Sequence, residues 1–246
     1  NAHCVAGLVE AGLTKRFNVL SLEYRGRGRS AKTATGYRIA DYVEDVLGLI
    51  EAERVTKPII CGHSFGAFVG MVLATQHPEQ VHRFIILDSS HLLITEGTAV
   101  LIKSALDRLG KKSPSLADYL TIMKQMPWLD GFWDAQLETY FRGDVQQFED
   151  GTVQPWTPPE VISQTIDHEF EVDWEAHVSI IQQPTLLVRA PEPYGKRPLV
   201  PAAMARQTAA RLPNCHLIET TGNHMTMLFG ANAPQTVKLI TTFLQR

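Results

Sequence analysis

Short apolar runs alternate with amphipathic segments along this chain, and the alternation predicts an α/β protein. Residues 17–22 alternate apolar and polar positions as a strand does. Residues 39–50 place apolar side chains at 39, 43, 46, 47 and 50, the spacing of a helix lying on a sheet. Residues 58–61 form a short apolar run that reads as a buried strand, and 67–74 an apolar stretch that reads as a buried helix. His77-Pro78 ends that helix, because the residue before proline is pushed out of helical conformation. Residues 81–87 predict the next strand, with Asp88 at its C-terminal end. Strand character returns at 184–189 and 216–219, each followed by a helix, at 201–212 and 234–244. Strands alternating with helices in this way predict a mostly parallel sheet flanked by helices.

Between His91 and Gln183 the pattern changes. Helix-like stretches fall near 97–110 and 115–126, prolines interrupt 155–159, and strand alternation is absent. All four tryptophans, Trp128, Trp133, Trp156 and Trp174, lie here with Phe132, Tyr140 and Phe141. Most of these rings are expected to pack a helical subdomain onto the rest, and some to line a ligand pocket.

Composition narrows the class. The hydrophobic fraction of 44% and charged fraction of 20% suit a globular protein, and 246 residues accommodate one α/β domain with an inserted subdomain. A net charge of -3 without a basic run gives no reason to expect a nucleic-acid or membrane partner. Nothing approaches the apolar length of a transmembrane helix. Cys4, Cys61 and Cys215 are far apart and odd in number, so free thiols and a reducing, cytoplasmic compartment are expected. No His-x-x-x-His or Cys-x-x-Cys pair has metal-ligand spacing, and no metal or cofactor is expected.

The candidate chemistry centres on Gly62-His63-Ser64-Phe65-Gly66. A strand precedes it and a helix follows, which is the context of a nucleophile elbow. The sharp turn strains the serine backbone and stands its hydroxyl clear of the strand end. Glycines two before and two after are expected to lie where a Cβ would clash. The N-terminus of the following helix offers free N–H groups, that of Phe65 first, to a developing oxyanion.

Gly62 to Gly66 resembles the nucleophile elbow of the α/β-hydrolase superfamily, and nearly the whole chain falls into register with that superfamily. The resemblance implies a core over 1–90 and 184–246, with 91–183 as a helical cap. It implies further that the family's first strands are missing from this chain, which begins just past where a strand ending in His-Gly belongs. The loop after that strand supplies the second oxyanion donor in the family. Glu23-Tyr24-Arg25-Gly26-Arg27-Gly28-Arg29-Ser30 is similar to the family's Asp-x-Arg-Gly-x-Gly-x-Ser loop, with Glu23 replacing Asp. Glycine punctuation assigns it to scaffolding, with an anion-facing role for its arginines as the alternative.

Gly222-Asn223-His224 follows the last predicted strand and is similar to the family's catalytic-histidine loop, which makes His224 the candidate base for Ser64. His63 reads as pocket wall or elbow support. The acid is open between two carboxylates. In most of the family it follows the strand that here ends at Arg189, within Gly-x-x-Asp. This chain has Ala190-Pro191-Glu192-Pro193 instead. A minority of the family place it at the end of the preceding core strand, where Asp88 stands, so Asp88 is favoured and Glu192 is the alternative.

These residues predict a serine hydrolase cleaving a small carboxylic ester, lactone or related acyl compound through an acyl-enzyme. A serine in the elbow argues against haloalkane dehalogenase and epoxide hydrolase chemistry, which uses aspartate there. Carbon–carbon bond hydrolases, perhydrolases and cofactor-free dioxygenases of this fold keep Ser and His and stay open, as does a non-catalytic ligand receptor.

Overall fold

The computed structural model describes the backbone of residues 1–246 and all side chains except those of residues 99, 101 and 104. Its centre is a four-stranded parallel sheet: β1 (Ile59–His63), β2 (Arg83–Leu87), and two strands late in the chain, Thr185–Arg189 and Cys215–Glu219. With the hairpin strands β3 (Val145–Gln147) and β4 (Val153–Pro155) between them in sequence, these late strands are β5 and β6. The order across the sheet is β1-β2-β5-β6, and His63 pairs with Leu87 while Leu87 pairs with Val188. All four C-terminal ends therefore sit side by side, the edge of a parallel sheet where ligands bind.

Burial explains the composition of the strands. Thr185–Arg189 is buried at every position, and Phe84–Leu87 likewise, so both faces are covered and both runs are near-continuously apolar. The strand β1 departs from the expectation of a buried run. It is the edge of the sheet, with Ile59 and Cys61 exposed and Gly62 buried. The predicted strand at 17–22 does not form, and residues 18–24 are neither helix nor strand. Alternation gave those residues a strand's faces, but a strand also needs a ladder partner for its N–H and C=O groups, and these residues pair with no strand of the sheet.

Helices pack on the sheet as the pattern requires. A short helix α1 (Ala6–Glu10) opens the chain between two 3₁₀ turns. The helix α2 (Ile39–Ala52) starts where the backbone N–H of Arg38 donates to Asp41 Oδ2 at 2.8 Å, and buries Ile39, Tyr42 and Val43. The helix α3 (Phe65–Gln76) is apolar around its whole circumference and is buried from Ala67 to Ala74. Two later helices, Ala202–Arg211 and Ala233–Leu244, complete the layers.

Residues 91–183 add no strand to the central sheet. They form helices α4 (Glu96–Leu106), α5 (Leu116–Lys124), α6 (Ala135–Gly143), α7 (Pro159–Glu169) and α8 (Trp174–Ser179), so the two helices after them are α9 and α10. The antiparallel β3–β4 hairpin was not visible as alternation, because three-residue strands are too short to show a period. The region packs on the rest through specific contacts. The Trp174 ring lies 4.6 Å from Phe68 of α3, and Tyr42 of α2 shares a 2.8 Å hydrogen bond with Thr165 of α7. Trp128 and Trp174 are buried, as an anchoring role requires. All three cysteines are free thiols, and among the described residues no helix is long and apolar enough to cross a membrane.

Candidate active site

The elbow's geometry follows from its glycines and strands. Ser64 joins β1 to α3 with φ 53° and ψ -118°, a region that a side chain rarely occupies. It is held there by its N–H, which donates to Leu87 O at 3.2 Å and carries the ladder one residue past the strand. A Cβ on Gly62 would overlap the carbonyl oxygen of Gly66, so glycine is required at 62. Gly66 differs from expectation. A Cβ there would meet only Tyr24 Oη, at an ordinary 3.6 Å, so space does not demand glycine at that position. The N–H of Phe65, first in α3, has no intrahelical acceptor.

Asp88 occupies the matching place one strand over. It is fully buried, with φ 45°, and its N–H donates to Val188 O at 2.7 Å. Its Oδ1 accepts the N–H of Ala190 at 2.8 Å, and its Oδ2 accepts from Nδ1 of His224 at 2.9 Å. Both carboxylate oxygens are thus satisfied, which a buried charge requires. Two of the five non-glycine residues with positive φ are Ser64 and Asp88, and such strain persists only where surrounding structure imposes it.

His224 is buried at the end of the loop after β6. The bond to Asp88 puts its proton on Nδ1 and leaves Nε2 to accept. Gly222, with φ 81°, turns the chain into the loop. Asn223, which the sequence reading passed over, then fixes it. Its Oδ1 accepts the N–H groups of Met225 and Thr226 at 3.0 Å each, and its Nδ2 donates to Trp128 O at 2.8 Å and Pro193 O at 3.1 Å. An asparagine in a Gly-Asn-His-x-Thr loop is an Asx-turn signal that could have pointed to it.

His63 packs under the loop. Its Nε2–H donates to the carbonyl of His224 at 2.7 Å, and the two rings lie 4.5 Å apart with 32° between planes. Burial, and then the nearness of His224, lower its pKa to about 3, so it stays neutral and serves as a support. Tyr194 meets the His224 ring edge to face at 5.3 Å and itself stacks on Trp128 at 5.6 Å.

Glu192 is not brought to His224. Its Oε1 accepts the N–H of Gly222 at 3.2 Å, and its side chain borders a surface cleft of about 340 Å³ with Phe132 and Asn223. A larger cleft of about 590 Å³, against Lys32, Trp156 and Pro159, is lined by none of Ser64, Asp88 and His224. Among the described residues no group of three or more His, Cys, Asp or Glu could hold a metal ion.

Known proteins agree with this architecture. A family model described as the alpha/beta hydrolase fold matches residues 2–231. The crystal structure of E-2-(acetamidomethylene)succinate hydrolase superposes with a TM-score of 0.83, covering 100% of this chain and 88% of that one at 22% identity. In sequence, 2-(acetamidomethylene)succinate hydrolase of Mesorhizobium japonicum is 34% identical over 89 residues, 36% of this chain and 32% of that protein. The 2-hydroxymuconate semialdehyde hydrolase of Pseudomonas putida is 32% identical over 114 residues, 46% of this chain and 38% of that protein. The matched stretches thus span about a third of the length of these two relatives.

Proposed function

The chain belongs to the α/β-hydrolase family, and from that premise we propose that it is a serine hydrolase acting on a small carboxylic ester, lactone or related acyl compound. The observation that carries the reading is the 2.9 Å bond from His224 Nδ1 to Asp88 Oδ2, at the same end of the sheet as the strained Ser64. In this reading Ser64 Oγ attacks the acyl carbon while His224 Nε2 takes its proton. Asp88 holds the imidazole in that tautomer and stabilises the imidazolium. The N–H of Phe65 is one oxyanion donor. His224 then returns the proton to the leaving group, and water hydrolyses the acyl-enzyme by the same steps. The residues 91–183 act as a cap, whose Trp128 stacks on Tyr194 of the core, the ring that meets His224.

Both sequence relatives are named hydrolases, which favours turnover over a receptor role. The semialdehyde relative keeps a second chemistry in view, in which the bond broken is not an ester. Release of 4-nitrophenol from a panel of acyl esters tests the reading. Ester turnover that vanishes in Ser64→Ala supports it. Turnover that persists in Ser64→Ala, or no turnover of any acyl ester or lactone, refutes it.

A further inference from the structure

The turn after residue 23 sets three arginines in alternation, and the side chain of Arg25 and the backbone of Arg29 have scaffolding tasks. Arg25 makes a two-pronged pair with Asp45, with Nε to Oδ2 at 2.6 Å, and Nη1 also reaches Gly36 O. Arg29 is exposed, and its backbone N–H donates to Glu23 Oε2 at 2.9 Å. Glu23 in turn fills the space beside Gly28, where a Cβ would overlap its carboxylate.

Arg27 makes no such ion pair among the described residues, although its guanidinium also serves the Tyr42 hydroxyl as a hydrogen-bond neighbour. Its guanidinium carbon lies 4.3 Å from the centroid of the Phe65 ring, the residue that follows Ser64. Its Nε is buried and has no hydrogen-bond partner among the described residues. The arginine ion pairs of the described residues are made by Arg25, Arg108, Arg142, Arg189 and Arg211, and Arg27 is not among them. Its charge is felt at Tyr24, at Tyr42 of α2, at Tyr140 of α6 and at Glu169 at the end of α7. Burial raises the pKa of each of these groups, and the charge of Arg27 draws each back down. Burial dominates at Glu169 and pushes it up to about 7, so near neutral pH this carboxyl offers Arg27 only part of a counter-charge. Tyr24 and Tyr42 also pack edge-on against Phe65, at 5.5 and 4.9 Å.

A guanidinium that is partly buried against aromatic rings, with only a partly ionised carboxyl in its field, lacks a full counter-charge. Here that cation sits over the ring of Phe65, the residue next to the candidate nucleophile. We propose that Arg27 is the receptor for a carboxylate on the acyl part of the substrate, so that the site selects acyl compounds with an acidic end. The inference rests on the hydrolase reading for the position of the acyl carbon, and deepens it by naming a substrate class. One fixed positive charge balances one negative charge, which suits a carboxylate better than a phosphate dianion. The buried Nε fixes the plane of the guanidinium, and its two Nη–H groups form the fork that a carboxylate accepts. The Tyr24 and Tyr140 hydroxyls, held neutral by burial, add no charge, while Tyr42, whose proton goes to Thr165 Oγ1, can only accept from Arg27.

The test compares mono(4-nitrophenyl) adipate with 4-nitrophenyl hexanoate, esters of equal chain length that differ in the terminal carboxylate. Wild type is expected to favour the adipate through a lower KM. Arg27→Met is expected to raise KM for the adipate about ten- to hundredfold, the worth of a charge-assisted hydrogen bond, with a much smaller change for the hexanoate. Arg27→Lys, which keeps charge but not the fork, should retain part of the preference. Equal cleavage of the two esters by wild type, or equal loss on both in Arg27→Met, would overturn the inference while leaving the hydrolase reading standing. A binding arm works without turnover, with Ser64→Ala titrated calorimetrically with monomethyl adipate and with methyl hexanoate. Arg27-dependent binding of monomethyl adipate with no cleavage of either ester by wild type supports the Arg27 site and sinks the hydrolase reading. Equal binding of the two compounds overturns the Arg27 site. Melting temperatures of all variants separate lost recognition from lost folding.

Discussion

The Nδ1–H of His224 donates to Oδ2 of Asp88 across 2.9 Å, and backbone groups fix both partners. Ala190 N–H holds the other oxygen of Asp88, and His63 holds the carbonyl of His224. Asp88→Asn should keep this geometry but favour the wrong imidazole tautomer, and kcat should fall by about four orders of magnitude with the fold intact. Glu192→Gln should leave kcat near wild type, because its carboxylate serves the Gly222 N–H and not the imidazole. Steady-state kinetics on one nitrophenyl ester decide it. A crippled Glu192→Gln beside a near-normal Asp88→Asn would assign the acid to Glu192.

The two glycines of the elbow should respond differently to alanine. Gly62→Ala forces a Cβ into the Gly66 carbonyl and should cost about 1–3 kcal/mol or more, the usual range for overpacking. Gly66→Ala meets only Tyr24 Oη at 3.6 Å and lies in a helix, where alanine is the better former by about 1 kcal/mol. Denaturant melts of the two variants test the contrast, and equal destabilisation would contradict the packing described.

Much of this was legible because it is local. The strand–glycine–serine–helix order around Ser64, the apolar α3 and the Gly-Asn-His loop each state their conformation in a few residues. Asp88 was legible as a carboxylate at a strand end. The missing Gly-x-x-Asp after Arg189 already favoured it over Glu192, but which of the two loops faces the imidazole is a tertiary matter that left the alternative open. The rest was tertiary. Alternation at 17–22 marks faces, but a ladder partner decides whether a strand forms. The apolar run of β1 could not show that one side of the sheet ends there. Arg27 reads like Arg25 and Arg29 in sequence, and only the fold sets it over Phe65 with an unpartnered Nε.

Asn223 is a positioning residue whose removal should act through His224. Asn223→Ala deletes the bonds to Trp128 O, Pro193 O, and the Met225 and Thr226 N–H groups. A misplaced base should cost kcat about a hundredfold with a smaller change in KM. Asn223→Asp keeps the two bonds to the N–H groups, since its oxygen accepts as before, and should restore part of kcat. A KM-only effect would assign Asn223 to substrate contact instead.

Glu169 makes stability depend on pH in a predictable direction. Burial raises its folded pKa from 4.5 to about 7. Below pH 4.5 both folded and unfolded forms hold the proton, and the group is neutral for stability. Between 4.5 and 7 the folded state holds more protons than the unfolded one, so stability falls as pH rises. Glu169→Gln removes that loss and should be more stable than wild type above pH 7 by on the order of 2–3 kcal/mol, with the gain shrinking toward pH 4.5. Thermal melts of the pair across pH 4–8 give the difference curve. A gain that is constant with pH would show that Glu169 is not held neutral.

The central claim is that Ser64 is the nucleophile, and covalent labelling tests it most directly. Wild-type protein treated with a fluorophosphonate should gain one phosphonyl group per chain. Mass spectrometry of the digest should place it on the peptide carrying Gly62-His63-Ser64-Phe65-Gly66, with ester turnover lost in proportion. Ser64→Ala should take up none and show no turnover. Labelling at another residue, or full turnover by Ser64→Ala, would contradict the account.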